Sequence, residues 1–374
     1  MNSRSIVRGT TKGDTMNTRH IRQLICASLA AISAVTLFSC GGHHHHQPPV
    51  IPAYASTSLV SDTAAIPAAH TDPNLLNAWG LAFNPRGFVW VAANHAAKST
   101  LYDGNGVPQS LVVATPDGPT GIVFNGTQDF KISQNGITAA SPFIFAGENG
   151  AISAWSPSVS PVTALVAYDG SAGGSVYKGL AIGSYAGANY LYAADFHNSR
   201  VDVFNATFAK VTLAGSFSDP GMPAGYAPFG IQAIGERLYV SYARREASGD
   251  DEEAGAGKGY INVYDLGGTL VRRLVSGGAL NAPWGMALAP AGFGDASGKL
   301  LVANFGDGKI NVYDPATGAA VGTLGQADGT ALVVDGLWGI AFGNGLNSQP
   351  LTTLFYTAGP GDEAHGQYGR IDLK

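Results

Sequence analysis

Cysteine is missing from residues 41–374; the chain's two cysteines, Cys26 and Cys40, both lie in its first forty residues. Disulfides therefore cannot staple the body of the protein, and its stability must come from buried apolar surface. Charge is also scarce, at 13% Asp, Glu, Lys and Arg, with a formal net charge of −5 and no basic cluster. That balance excludes the electrostatic footprint of a nucleic-acid binder, so no nucleic-acid partner is expected. No G-x-S-x-G nucleophile turn and no G-x-x-x-x-G-K-[ST] phosphate loop occurs, and the acidic run Asp250–Glu253 lacks EF-hand spacing. Glycine is abundant instead, at 51 of 374 residues. Many turns with few helix-favouring residues point to an all-β protein of short strands.

A repeated phrase organises those strands. It reads NAWGLAF around Gly80, GPTGIVF around Gly121, VYKGLAI around Gly179, APFGIQAI around Gly230, APWGMAL around Gly285 and GLWGIAF around Gly339. A second strand follows each phrase (FVWVAAN, FIFAGEN, YLYAADF, RLYVSYA, LLVANFG, LFYTAGP), and then a third such as KINVYD. The first five repeats carry a fourth segment, such as QSLVVATP or KVTLAGSF. Six units of about four strands predict a six-bladed β-propeller with four-stranded blades. The glycine is expected where the innermost strand meets its neighbour too closely for a Cβ. The last repeat lacks a fourth strand, and TSLVSDT (57–63) is expected to close it, so the sixth blade is closed by an N-terminal strand.

The first forty residues read as an export segment. Met16 is a natural start, Arg19 and Arg22 form a positive flank, and the apolar stretch Leu24–Phe38 is too short to span a membrane. Leu37-Phe38-Ser39-Cys40 resembles a bacterial lipobox, which implies lipidation at Cys40, or else a plain secretion signal. By the same resemblance, Gly41 after Cys40 leans towards the outer membrane. The expected locations are the lipid-anchored cell envelope, at the outer membrane or in the periplasm, or the exterior. Residues 41–56, with His43–His46 and a Pro-rich stretch, read as a flexible tether, and residues 57–374 as the propeller. The histidine tract is either a weak transition-metal site or a spacer.

The pattern P-x-G-I/L-A … L-Y-V-A-N/D … I-x-V-Y/F-D resembles NHL-type six-bladed propellers. The phrases DPNLLNAWGLAFNP, PAGYAPFGIQAI, LNAPWGMALAPAGFGDASGKLLVANFGDGKINVYD and DGLWGIAFGNG resemble an uncharacterised family of exported bacterial conserved hypothetical proteins. That resemblance implies fold and export, and no reaction.

Loops after the second strands and between repeats should open on one axial mouth. The candidates there are Asn77, Asn94, His95, Glu148, Asp195, His197, Asn281, Asn304 and Asp335, with Lys178, Asp307, Asp362, Glu363 and His365 beside them. Asn94, Glu148, Asp195 and Asn304 could supply the oxygens a Ca²⁺ ion requires, the principle that six-bladed lactonases use. The same residue types also cap turns. Trp79, Trp284 and Trp338 each precede a repeat glycine, as Phe229 does. They are either an aromatic platform for a ligand or packing wedges between blades. The acidic insertion 243–260 reads as a solvated loop, or as a lid over the mouth. Two functions remain open. One is a binding module for an envelope or extracellular protein or glycan, attached to the membrane only through lipid. The other is a Ca²⁺-dependent lactonase or esterase.

Overall fold

The computed structural model describes residues 49–116, 118–247 and 249–374. The export segment, Cys40, the histidine tract and Asp117 lie outside these residues. Among the described residues the chain is all-β, with only two short 3₁₀ turns, Ser171–Gly173 and Gly294–Ala296. The repeat phrase forms the first strand of each unit: Ala78–Phe83, Pro119–Phe124, Tyr177–Tyr185, Tyr226–Ile234, Pro283–Leu288 and Leu337–Phe342. The first four of these strands each begin a separate four-stranded antiparallel sheet.

These six strands pack on one another in chain order, and the last packs back on the first. The repeat glycines explain how they come so close. A Cβ at Gly285 would stand 2.5 Å from the carbonyl oxygen of Trp338, and one at Gly339 would stand 2.7 Å from that of Trp79. Gly80, Gly121, Gly179 and Gly230 likewise face the backbone of the following first strand. The glycine is required by this approach rather than by its dihedral angles. The architecture is propeller-like.

The N-terminal strand runs Val50–Ser61, longer than the expected 57–63 and beginning inside the stretch that composition reads as a tether. Two contacts extend it. Its later residues pair antiparallel with the C-terminal strand Gln367–Leu373, from Tyr54↔Leu373 to Ser61↔Gln367. Its first residues pair parallel with Ala320–Gln326, through Val50↔Thr323 and Ile51↔Leu324. Buried Tyr54 donates its hydroxyl to the Phe293 carbonyl at 2.8 Å, which anchors the added segment. The strands of the last two repeats thereby join into one nine-stranded sheet.

Other departures are local. The fourth segments QSLVVATP and KVTLAGSF form only two-residue strands, Val113–Ala114 and Lys210–Val211. A hairpin of Lys131–Gln134 and Ile137–Ala140 interrupts the second repeat.

Candidate functional site

Five of the six residues that precede the repeat glycines converge; the exception is Thr120, whose hydroxyl donates to the Ala146 and Tyr177 carbonyls. In chain order the six are Trp79, Thr120, Lys178, Phe229, Trp284 and Trp338. The aromatic ones meet. Trp79 stacks on Trp338 with centroids 3.7 Å apart, and Trp284 sets its edge against both, at 6.1 and 5.8 Å. Phe305 stacks on the Trp338 ring at 4.1 Å, and Phe229 packs edge-on at 5.8 Å. All are buried except Phe305, which is partly so. The tryptophans are therefore neither an open platform nor wedges between separate sheet pairs; they gather into one central plug. Beyond it lies a cavity of about 40 Å³, lined by Gly80, Gly121, Gly230, Gly285 and Trp284 among others.

Lys178 occupies the same inward position but carries a charge. Its ammonium lies 5.1 Å over the Trp79 ring, a cation–π distance. It pairs with Glu148 Oε1 at 2.5 Å and Asp251 Oδ1 at 3.1 Å. Glu148 Oε2 in turn accepts from Asn94 Nδ2 at 2.9 Å. Burial works against the lysine's charge, yet the surrounding Glu148, Glu252 and Asp251 carboxylates hold its pKa above the ordinary value. Glu252 and Glu363 complete the acidic surroundings. Burial pushes Glu252 up to about 8, with Lys178 opposing and the Glu363 and Asp251 charges adding to the rise. Burial likewise lifts Glu363 to about 7, against the pull of Lys178.

Two of these carboxylates come from the insertion between strands Arg237–Arg244 and Gly259–Asp265. The insertion is tied down at several points. Asp250 meets His197 Nδ1 at 2.5 Å, and the Arg245 guanidinium donates to the His197 carbonyl at 2.7 Å. Gly255 N–H donates to Asn281 Oδ1 at 2.6 Å, while Glu253 pairs with Arg244 at 2.8 Å and Lys258 at 2.5 Å. The acidic run is thus a lid across the mouth, reaching from the third repeat to the fifth.

The expected site residues divide into two groups. Asn94, Glu148 and Lys178 come together. Asn77 joins the same region, its Nδ2 lying 3.3 Å from His95 Nε2. His197 and Asn281 hold the insertion, and Asp195, Asn304 and Asp335 brace neighbouring loops. Asp195 accepts from Val176 N–H and Asn198 Nδ2 and pairs with Arg200 at 3.2 Å. Asn304 donates to the Ala279 carbonyl and to Asp307 Oδ1, and accepts from Asn281 N–H. Asp335 accepts from Gly361 N–H. His365 faces Asp62 at 3.0 Å, beside the N-terminal strand and apart from His95 and His197, which bond elsewhere. Of the quartet read as a cation site, Asn94 and Glu148 meet, whereas Asp195 bonds Val176, Asn198 and Arg200, and Asn304 bonds Ala279, Asn281 and Asp307. Sequence reasoning did not place Asp251 and Glu252 beside Lys178. The only signal was an insertion carrying a run of four carboxylates, Asp250–Glu253, and a lone lysine in an aromatic position.

No protein-family model matches the chain. An uncharacterised protein of Acanthamoeba polyphaga mimivirus is 35% identical over 317 residues, covering 81% of this chain and 76% of the relative. A second uncharacterised mimivirus protein is 36% identical over 291 residues, covering 73% and 75%. The chain belongs to this family of uncharacterised proteins. These relatives are viral, so the bacterial origin that the sequence phrases suggest finds no support among them. A third mimivirus member is 34% identical over 227 residues, 59% of this chain and 42% of that relative. Among solved structures, a streptogramin B lyase aligns with a TM-score of 0.47 at 15% identity, over 86% of this chain and 98% of the lyase. A chain of a nidogen/laminin complex aligns at 0.45 and 14% identity, over 70% and 83%.

Proposed function

We propose that the chain is a six-bladed β-propeller, closed by its N-terminal strand, that works as a recognition module exported to the cell envelope and lipid-anchored through Cys40. The central plug of Trp79, Trp284 and Trp338 carries this reading. It seals the channel, and Lys178 above it is already neutralised by Glu148 and Asp251. Recognition then belongs to the lidded mouth and its rim, where a protein or glycan of the envelope would be engaged. Fold alone does not choose among functions, so the argument rests on this site.

The first experiment is metal content of the purified chain, prepared without chelator, paired with thermal melts before and after EDTA. Recognition without metal predicts no stoichiometric Ca²⁺ and no shift. One tightly held Ca²⁺ per chain with a lower melting temperature after EDTA would replace this reading with a Ca²⁺-dependent lactonase or esterase. That alternative draws on Glu252 and Glu363, whose raised pKa values suit proton transfer near neutral pH. Anchoring is tested separately by radiolabelled palmitate incorporation in a bacterial host. Label is expected in the wild type and not in Cys40→Ser; equal labelling of both removes the anchor.

A further inference from the structure

We infer that an open cavity on the face opposite the mouth binds an acidic saccharide, a sugar chain carrying carboxylates, with Arg86 and Lys131 answering its charge. This site lies apart from the mouth and does not rest on the recognition reading given there.

The cavity opens between the first two repeats and has a volume of about 790 Å³. Ligand pockets usually fall between about 300 and 1,000 Å³. Its walls come from three turns: 84–86 after the strand Ala78–Phe83, 125–128 after Pro119–Phe124, and 156–158 after Ala151–Trp155. In the antiparallel sheets these turns stand at the strand ends remote from Asn94 and Glu148. The cavity is therefore on the other face from the lid.

Its charge is one-sided. Among the described residues, no carboxylate lines it. Asp129, next to Gln128, instead accepts from Asn189 Nδ2 at 2.7 Å. Arg86 lines the cavity, and Lys131 stands at its edge, paired across a hairpin with Ala140 of the wall. Among the described residues, neither side chain takes part in an ion pair or hydrogen bond. The other lysines and arginines there do, the terminal Lys374 excepted. In a chain with a net charge of −5, two unpaired cations at one carboxylate-free cavity select an anion.

The walls are braced from behind. The Arg86 N–H donates to Asn84 Oδ1 at 2.9 Å, and Asn344 Nδ2 donates to the carbonyls of Asn84 and Gly87 at 2.7 and 2.8 Å. On the opposite wall, buried Asn125 donates to the Asp129 and Ser141 carbonyls, both at 3.1 Å, and accepts from the Thr127 N–H and hydroxyl. Such bracing lowers the cost of ordering the site on binding.

The rest of the lining fixes the class. Asn84, Gln128, Ser156 and Ser158 bring amides and hydroxyls, while Phe124, Pro85, Pro142 and Pro157 bring apolar surface. A simple anion such as sulfate meets the cations and leaves most of the volume unfilled. A fatty acid sets its chain against amides and hydroxyls that gain nothing from it. A neutral sugar leaves both cations unanswered. An acidic peptide satisfies the charge but carries few groups to exchange hydrogen bonds with these hydroxyls and amides. A uronate sugar supplies all three: a carboxylate for the planar guanidinium, hydroxyls around the ring, and C–H faces for Phe124 and the prolines.

The test is calorimetric titration of the purified chain with trigalacturonate at pH 7 and low salt, against maltotriose, citrate and triglutamate. Expected is saturable trigalacturonate binding that weakens as salt is raised, with each comparison ligand bound at least tenfold less tightly. Arg86→Gln should weaken binding at least tenfold and Lys131→Gln about threefold. Both residues are exposed, so the melting temperature should not move. Lys374→Gln, which removes the other unbonded cation, should leave the affinity unchanged. So should replacement of residues 246–257 by a Gly-Ser link. Absence of trigalacturonate binding overturns the proposal, as does equal binding of any comparison ligand or unchanged affinity in Arg86→Gln. Loss of binding in the lid variant also overturns it, by moving the ligand to the mouth. None of these results bears on metal at the mouth, so the recognition reading falls separately, on its own assay.

Discussion

Lys178 stands where four of the six repeats place an aromatic ring, and it is the residue on which the mouth depends. A buried ammonium is tolerated because Glu148 and Asp251 surround it and the Trp79 face lies beneath. Removing one partner of a buried pair leaves the others uncompensated. Because Glu148 and Asp251 keep part of their solvation, Lys178→Met should destabilise the fold by about 1–3 kcal/mol in urea unfolding. Adding Glu148→Gln should recover part of that loss. Glu252 governs a second effect. Its native pKa, about 8, exceeds the ordinary 4.5, so the folded state holds an extra proton between these values. The stability this group contributes is present below about pH 4.5 and is lost as pH rises through 8. Glu363, raised to about 7, acts in the same direction. Melts from pH 5 to pH 8 should show stability falling by roughly 1–3 kcal/mol, and Glu252→Gln should flatten the profile. The lysine could be placed at the mouth from sequence, because it precedes a repeat glycine. Glu252 could not, because an insertion has no periodicity to fix which way it folds.

At the scale of elements, the six first strands could be read because one steric demand recurs in each. Backbone meets backbone at the glycine, so the phrase cannot drift far. Gly285→Ala would push a methyl to 2.5 Å from the Trp338 carbonyl. It should cost about 1–3 kcal/mol, measured by denaturant midpoint. The outer strands were less legible. QSLVVATP has the apolar content of a strand, yet only Val113 and Ala114 pair, since an outer position demands little of the sequence. The N-terminal strand was half legible: Thr57, Leu59 and Val60 have strand-forming side chains, while Pro49 and Pro52 disguise the rest. The lid is held mainly by exposed or half-exposed ion pairs, which contribute little to global stability. Replacing residues 246–257 with a short Gly-Ser link should change stability by no more than about 1 kcal/mol. It should also raise acrylamide quenching of tryptophan fluorescence, as the plug below becomes accessible. Unchanged quenching would mean that the lid does not cover it.

For the whole molecule, the ring of contacts is completed in two places. In the centre, the strand Leu337–Phe342 packs against Ala78–Phe83, and the Thr357 hydroxyl donates to the Trp79 carbonyl. At the rim, the N-terminal strand is inserted beside the C-terminal one. No covalent link helps, so the melting temperature should be the same with and without reductant. Unfolding should appear as one transition by fluorescence and circular dichroism alike. A chain truncated before residue 62 should lose that cooperativity, because Tyr54, Leu59 and Val60 leave the core together. The centre was predictable because it repeats; at the rim the pairing with the C-terminal strand was legible, while the bridge of Val50 and Ile51 to Ala320–Gln326 was not, because it occurs once.

That rim strand also decides how the molecule bears a load. Tension applied to the chain ahead of Pro49, along the strand's own axis, reaches the body through Val50–Ser61. Its pairings with Gln367–Leu373 on one side and Ala320–Gln326 on the other lie side by side along that axis. Pulled this way, they resist in shear and must slip together, whereas a peripheral strand pulled sideways would unzip one pair at a time. The strand that closes the ring is thus also its mechanical clamp.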